Sequence, residues 1–247
     1  MLLIQCGRMD TVLKVISILP WTDWAALVAF FAAWSGYAWF ARDRSQTQPS
    51  VLASTNRIRR EWMLQTTYRE VRVLDGVVIQ NLSTSPSFFA STTILVIGGL
   101  LAVLSTSDKA SELVREIPFA ARTSVLIFDL KLLLLLVIFV YAFFRFTWSM
   151  RQYTFGALLI AAAPETKQLD ALGPEGDEQR QAFAKKAGGV VGMAAETFND
   201  GLRAYYLSFA AVGWFFSPLV FVCATAGVIY ILYQREFRSD VLGVLNS

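Results

Sequence analysis

The chain contains no histidine. That absence excludes histidine-ligated zinc and haem, and every nucleophile that relies on a neighbouring imidazole. A proton relay near neutral pH has to use a carboxylate or a lysine instead. Cysteine is nearly as scarce. Cys6 near the start and Cys223 inside an apolar run give neither metal-ligand spacing nor a disulfide framework. Charge is also short: 17% of the 247 residues are charged and 55% are hydrophobic, where a soluble domain carries roughly 25% charged residues. The net charge of +3 is too small to point to nucleic acid. The P-loop, G-x-S-x-G, H-E-x-x-H and G-x-G-x-x-G patterns are all missing. The chain is therefore expected not to be an enzyme and to hold no cofactor and no metal.

What is present is apolar sequence in blocks of bilayer-spanning length, about 20 residues for a ~30 Å hydrocarbon core. Trp24–Ala41 is an uncharged run of 18 residues between Asp23 and Arg42. A second uncharged run extends from Asn81 to Ser107, with Pro86 marking the entry to its spanning part. A third begins near Thr123, carries Asp129 and Lys131, and keeps a helical pattern past Arg145 and Arg151 until Pro164. About 40 residues of helix measure ~60 Å, twice the hydrocarbon thickness, so the second half has to leave the membrane. A fourth run, Ala204–Gln234, holds 31 uncharged residues with Pro218 near its middle, and reads as one long kinked span. The expected spans are 22–41, 87–105, 123–145 and 204–234. The expected cytoplasmic helical segments are 52–82, 146–163 and 180–203, with the stretch from Glu165 to Gln179 as a loop.

Lysine and arginine are concentrated in the segments Arg42–Asn81 and Arg145–Arg203. The positive-inside rule places both in the cytoplasm and both termini outside. Met1–Pro20 lacks the basic start and small-residue cleavage site of a signal peptide and reads as an extracytoplasmic lead into the first helix. Leu64, Tyr68, Val71, Leu74 and Val78 recur at helical spacing and predict one apolar stripe in the first cytoplasmic segment. The expected fold is an all-α integral membrane protein of the bacterial inner membrane. It has about four transmembrane helices in two hairpins, long cytoplasmic extensions, and homo-oligomeric assembly.

Asp129 and Lys131 are the charges set well inside a predicted span, where an ionised group costs several kcal/mol unless paired or wetted. Two positions apart on a helix is ~200° of rotation, so they cannot pair with each other. They read either as an ion pathway or as a lysine snorkelling toward the outer interface. Ser91, Thr92 and Thr93, followed by Gly98 and Gly99, give the second span a small, polar half that suits helix packing or a pore lining. Arg57, Arg59, Arg60, Arg69 and Arg72, with Arg145 and Arg151, form an inner basic band suited to anionic lipid. Arg145 leans toward the membrane and calls for an acceptor. Asp75-Gly76 and Asp200-Gly201 are weak evidence for a carboxylate pair.

Four strings carry a resemblance: Ser85-Pro86-Ser87-Phe88-Phe89-Ala90-Ser91-Thr92, Phe146-Thr147-Trp148-Ser149-Met150-Arg151-Gln152-Tyr153, Phe198-Asn199-Asp200-Gly201-Leu202-Arg203-Ala204-Tyr205-Tyr206 and Arg235-Glu236-Phe237. In order and spacing they resemble the bacterial and plant membrane family catalogued as domain of unknown function 599. The resemblance implies a multi-span helical membrane protein and brings no activity or catalytic residue with it. From the residues themselves, the first functional expectation is an oligomeric ion channel, with Asp129 and Lys131 near the outer mouth and the arginine band near the inner one. The alternative is a non-conducting scaffold or accessory subunit, whose cytoplasmic helices bind a partner protein or anionic lipid.

Overall fold

A computed structural model describes residues 19–107, 109–110 and 124–246. The N-terminal lead, Cys6 and most of the connection 106–122 lie outside the described residues. The described chain is helical throughout: α1 Trp21–Thr47, α2 Val51–Thr66, α3 Val73–Ser105, α4 Val125–Ala161, α5 Thr166–Ala171, α6 Pro174–Val212, α7 Pro218–Phe237 and α8 Asp240–Leu245. Helix starts follow local chemistry. The hydroxyls of Ser50, Ser124, Ser217 and Ser239 accept from the backbone N–H groups of Ala53, Ile127, Val220 and Leu242, satisfying donors that have no partner within a helix. Gly173 takes the left-handed φ of +57° just before Pro174 opens α6, a conformation that a side chain would strain.

Four helices, α1, α3, α4 and α7, are long and apolar enough to cross a membrane. α4 and α6 are the axis of the molecule: α3 packs on α4, α2 on α6, and α7 on both α1 and α6. One apolar core joins Phe30, Ile138, Phe146, Leu207, Trp214 and Phe221 within the crossing helices. A second joins Met63, Ile79, Tyr153, Ile160, Ala187 and Val191, where α2 and the ends of α3, α4 and α6 form a layer beyond them. The 37 residues of α4 measure about 55 Å and the 39 of α6 about 58 Å, so both rods run through the two cores.

The expected fourth span is instead two antiparallel segments. Gly213–Phe215 is a short 3-10 turn, and Ser217-Pro218 restarts the helix as N-cap and first-turn proline. Trp214 at the turn stacks on Phe221 and donates to Asp23 at the start of α1. From there α7 runs alongside α1, with Phe221 against Phe30 and Phe237 against Phe40. At its end, Glu236 accepts the Leu52 N–H at 3.1 Å, and α8 meets α2 through Ser54–Asn246 and Arg57–Leu245. The last stretch of α6 therefore packs in the bundle antiparallel to α7, beside the four helices that are long and apolar enough to cross a membrane. Within the bundle α1 starts at the end marked by Asp23, beside Trp214, and α7 finishes at the end marked by Arg203, where Arg235 meets Tyr206. Physically, 31 residues are ~46 Å of helix, more than one bilayer accommodates without strong tilt and short of two full crossings.

Three smaller expectations also change. The segment 52–82 breaks at 67–72, so the stripe from Leu64 to Val78 is divided between two helices, and Tyr68, Val71 and Leu74 are exposed. Pro86 lies buried inside α3 rather than at its entry. The expected loop from Glu165 to Gln179 is mostly α5 and the first turns of α6. Glycines that weaken α6 as an isolated helix are where its neighbours come closest. A Cβ on Gly188 would lie 2.8 Å from the Arg60 Cα, and one on Gly201 would lie 2.5 Å from the Phe146 ring.

Candidate functional site: buried charge at both ends of the bundle

At the Asp23 end, α4 turns Lys131 inward, leaving it 3% exposed. Its ammonium sits 5.6 Å from the Trp214 ring centroid and 5.8 Å from that of Phe215. The indole N–H of Trp214 donates to the Asp23 Oδ1 at 2.5 Å, and Asp23 is itself buried. One side chain thus serves two charges, its ring facing the cation and its N–H facing the anion. Asp129, one helical turn from Val125, is half-buried. Among the described residues none donates to its buried Oδ1. The structure does not bring Asp129 and Lys131 together.

At the Arg203 end, Asp200 of α6 receives two guanidiniums. Arg145 of α4 pairs with Oδ2, and Arg203 pairs with Oδ1 at 3.0 Å. The Arg203 guanidinium also lies over the ring of Tyr37, 5.7 Å from its centroid. The acceptor that Arg145 called for is therefore a carboxylate on the neighbouring rod. Just above this cluster, Phe89, Phe146, Phe198 and Tyr205 form an aromatic knot joining α3, α4 and α6. Thr93 enters it, sharing a 2.7 Å hydrogen bond with the Tyr205 hydroxyl.

The layer beyond has its own clamps. Asp75 is fully buried and takes the Trp62 N–H at 2.7 Å and Arg69 at 2.5 Å. Arg72, between α2 and α3, donates to the carbonyl of Thr66 at the end of α2 and to those of Ala163 and Pro164 just past the end of α4, groups with no helical partner. Arg180, 2% exposed, pairs with Asp170 at 2.6 Å beneath the ring of Tyr68. Arg59 donates to Thr55 and Asn56. Burial lowers its affinity for the proton, against the opposing pull of Tyr153 and Glu196, though a guanidinium stays charged throughout the physiological range.

Of the residues expected to matter, Arg69, Arg72 and Arg145 are thus committed to partners within the chain. Arg57 reaches the Leu245 carbonyl from an exposed position, and Arg60 and Arg151 are exposed. Ser91 faces outward, and the Thr92 hydroxyl returns to the Phe88 carbonyl. Asp23, Trp214, Arg180 and Arg203 were not singled out by sequence, and Asp75 was considered only as half of a carboxylate pair with Asp200. Only Asp23 and Arg203 offered a signal, as the charges bounding apolar runs. Asp75 and Asp200 do not form a dyad, since each has its own basic partners. Among the described residues no three acidic or cysteine side chains converge to hold a metal.

Set against known proteins, residues 25–241 match a family model described as a protein of unknown function, DUF599. No curated protein and no solved structure matches the chain.

Proposed function

The chain belongs to the DUF599 family, and from that premise we propose that it is a non-conducting multi-pass membrane scaffold whose helical layer beyond the bilayer engages a partner protein. The observation that carries this reading is where the buried charge goes. Lys131 is folded under its own aromatic rings, and Arg145 and Arg203 are tied to Asp200. Side chains spent on holding helices together are not available to a permeating ion. Breaking such a pair is strongly destabilising, which suits a rigid support. The Arg203 end is the cytoplasmic one: the α6–α7 hairpin brings Arg235 and Arg238 to the same end as Arg42, Arg44 and the α2 arginines, in keeping with the positive-inside rule. This orientation fits a bacterial inner membrane. Assembly from more than one copy belongs to the same reading. Gly98 and Gly99 of α3 face open space, and small residues there let a second helix approach closely.

One observation favours a second reading, the oligomeric channel: the Asp129 Oδ1 has no donor among the described residues. Purified protein in liposomes decides between the two. Flux of potassium and chloride should stay at the level of protein-free vesicles. Flux above that level which Asp129→Asn alters would replace the scaffold with the channel.

A further inference from the structure

An open groove of about 570 Å³ runs between α1 and α7 on the outside of the bundle. Its floor is made by small residues, Ala33, Gly36 and Ala226, and its Arg203-end walls by Phe40, Tyr230 and Tyr233. Both helices are among those long and apolar enough to cross a membrane, so the groove opens onto hydrocarbon. Along α1 it extends from Ala32 to Phe40, about 12 Å of helix, close to the ~15 Å depth of one leaflet. It is therefore a slot for an acyl chain in a single leaflet, the one at the Arg203 end.

Its mouth is chemically different. Arg44 stacks on Phe40 at 5.6 Å, and Arg238 stacks on Tyr233 at 5.7 Å. The two aromatic walls thus each carry a guanidinium at their membrane-surface end, and both arginines are exposed. The acidic groups of this rim are Asp43, Glu236 and Asp240, of which Glu236 accepts the Leu52 N–H. Guanidiniums in this position suit a phosphate, which they bind through parallel hydrogen bonds.

We propose that the α1–α7 groove holds one anionic phospholipid, an acyl chain lying over Gly36 between Phe40 and Tyr233 and the headgroup phosphate between Arg44 and Arg238. The site requires only that α1 and α7 cross the bilayer and stands apart from the scaffold reading. Gly36 supplies a variant that does not threaten the fold: a Cβ there meets nothing within 4 Å, and replacing a mid-helix glycine favours the helix. Gly36→Leu fills the floor. The Arg44→Gln, Arg238→Gln pair removes the rim charge and leaves the groove.

The experiment is native mass spectrometry of the full chain released from nanodiscs of phosphatidylglycerol and phosphatidylethanolamine with identical chains. One phosphatidylglycerol should be retained per protomer. Gly36→Leu should lose it, and the arginine variant should lose the preference for the anionic lipid, by about fivefold for each arginine removed. Equal lipid retention by Gly36→Leu and the parent protein overturns the proposal. So does a dimer that Gly36→Leu splits, which would make a second copy the occupant. A headgroup preference untouched by the arginine pair overturns the assignment of the rim.

Discussion

Besides stacking on Phe221, Trp214 meets Lys131 with its ring and Asp23 with its N–H, and the N–H contact can be deleted while a ring is kept. Trp214→Phe keeps an aromatic face for Lys131 and deletes the donor to Asp23. A hydrogen bond to a buried carboxylate contributes about 1.5–3 kcal/mol, so this variant should unfold at a lower temperature in a detergent melt followed by circular dichroism. An unchanged melting temperature would show that Asp23 has no need of the indole. Gly201→Ala tests close packing instead: the added methyl meets the Phe146 ring, which is fully buried and has little room to move. Overpacking of this kind costs about 1–3 kcal/mol, and the same melt reads it. At this scale the sequence was legible only in part. Asp129 and Lys131 stood out because charge inside an apolar run is conspicuous. Asp23 and Trp214 lie 191 residues apart, and nothing local to either one announces the other.

At the scale of elements, the first three apolar runs each fall within one long helix, α1, α3 and α4, and charges such as Asp23 with Arg42 and Lys131 with Arg145 bound their uncharged stretches. The run from Ala204 to Gln234 has no internal charge, so hydropathy cannot tell one tilted helix from the second arm of a hairpin. The residues that mark the reversal are Gly213, Ser217 and Pro218. The last two form a helix start, Ser217 as N-cap and Pro218 in the first turn, where Pro218 taken alone suggests a kink. Two glycines of α6 show a related limit: intrinsic propensity makes glycine a weak point of a helix, whereas the contacts of Gly188 with Arg60 and Gly201 with Phe146 require its small size. α8 belongs to this scale as well. It touches the first turns of α2 through Asn246 and Leu245. A chain stopped after Arg238 should show faster amide hydrogen exchange across residues 51–57, with the α4–α6 core unchanged. Unaltered exchange there would mean that α8 adds nothing to the hold that α6 and Glu236 have on α2.

For the whole molecule the number of crossings has a direct test. In a background with both cysteines replaced by serine, single cysteines at Trp21, Ile58 and Val241, all exposed, are labelled with a membrane-impermeant maleimide. Cysteines at positions 58 and 241 should react from one side and the cysteine at position 21 from the other. If positions 21 and 241 react together, the chain crosses an even number of times and the α6–α7 hairpin is wrong.

The two central rods have a mechanical consequence. α4 and α6 pass without a break from the apolar core among the crossing helices into the second core, and Arg145–Asp200 bolts them together between the two. A stiff rod about 55 Å long is a lever. A change of about 5° in its tilt, of the kind a thinner or thicker bilayer imposes, swings the far end by about 5 Å. A bilayer of different thickness would in this way be expected to displace the Arg180–Asp170 corner, which lies near the start of α6.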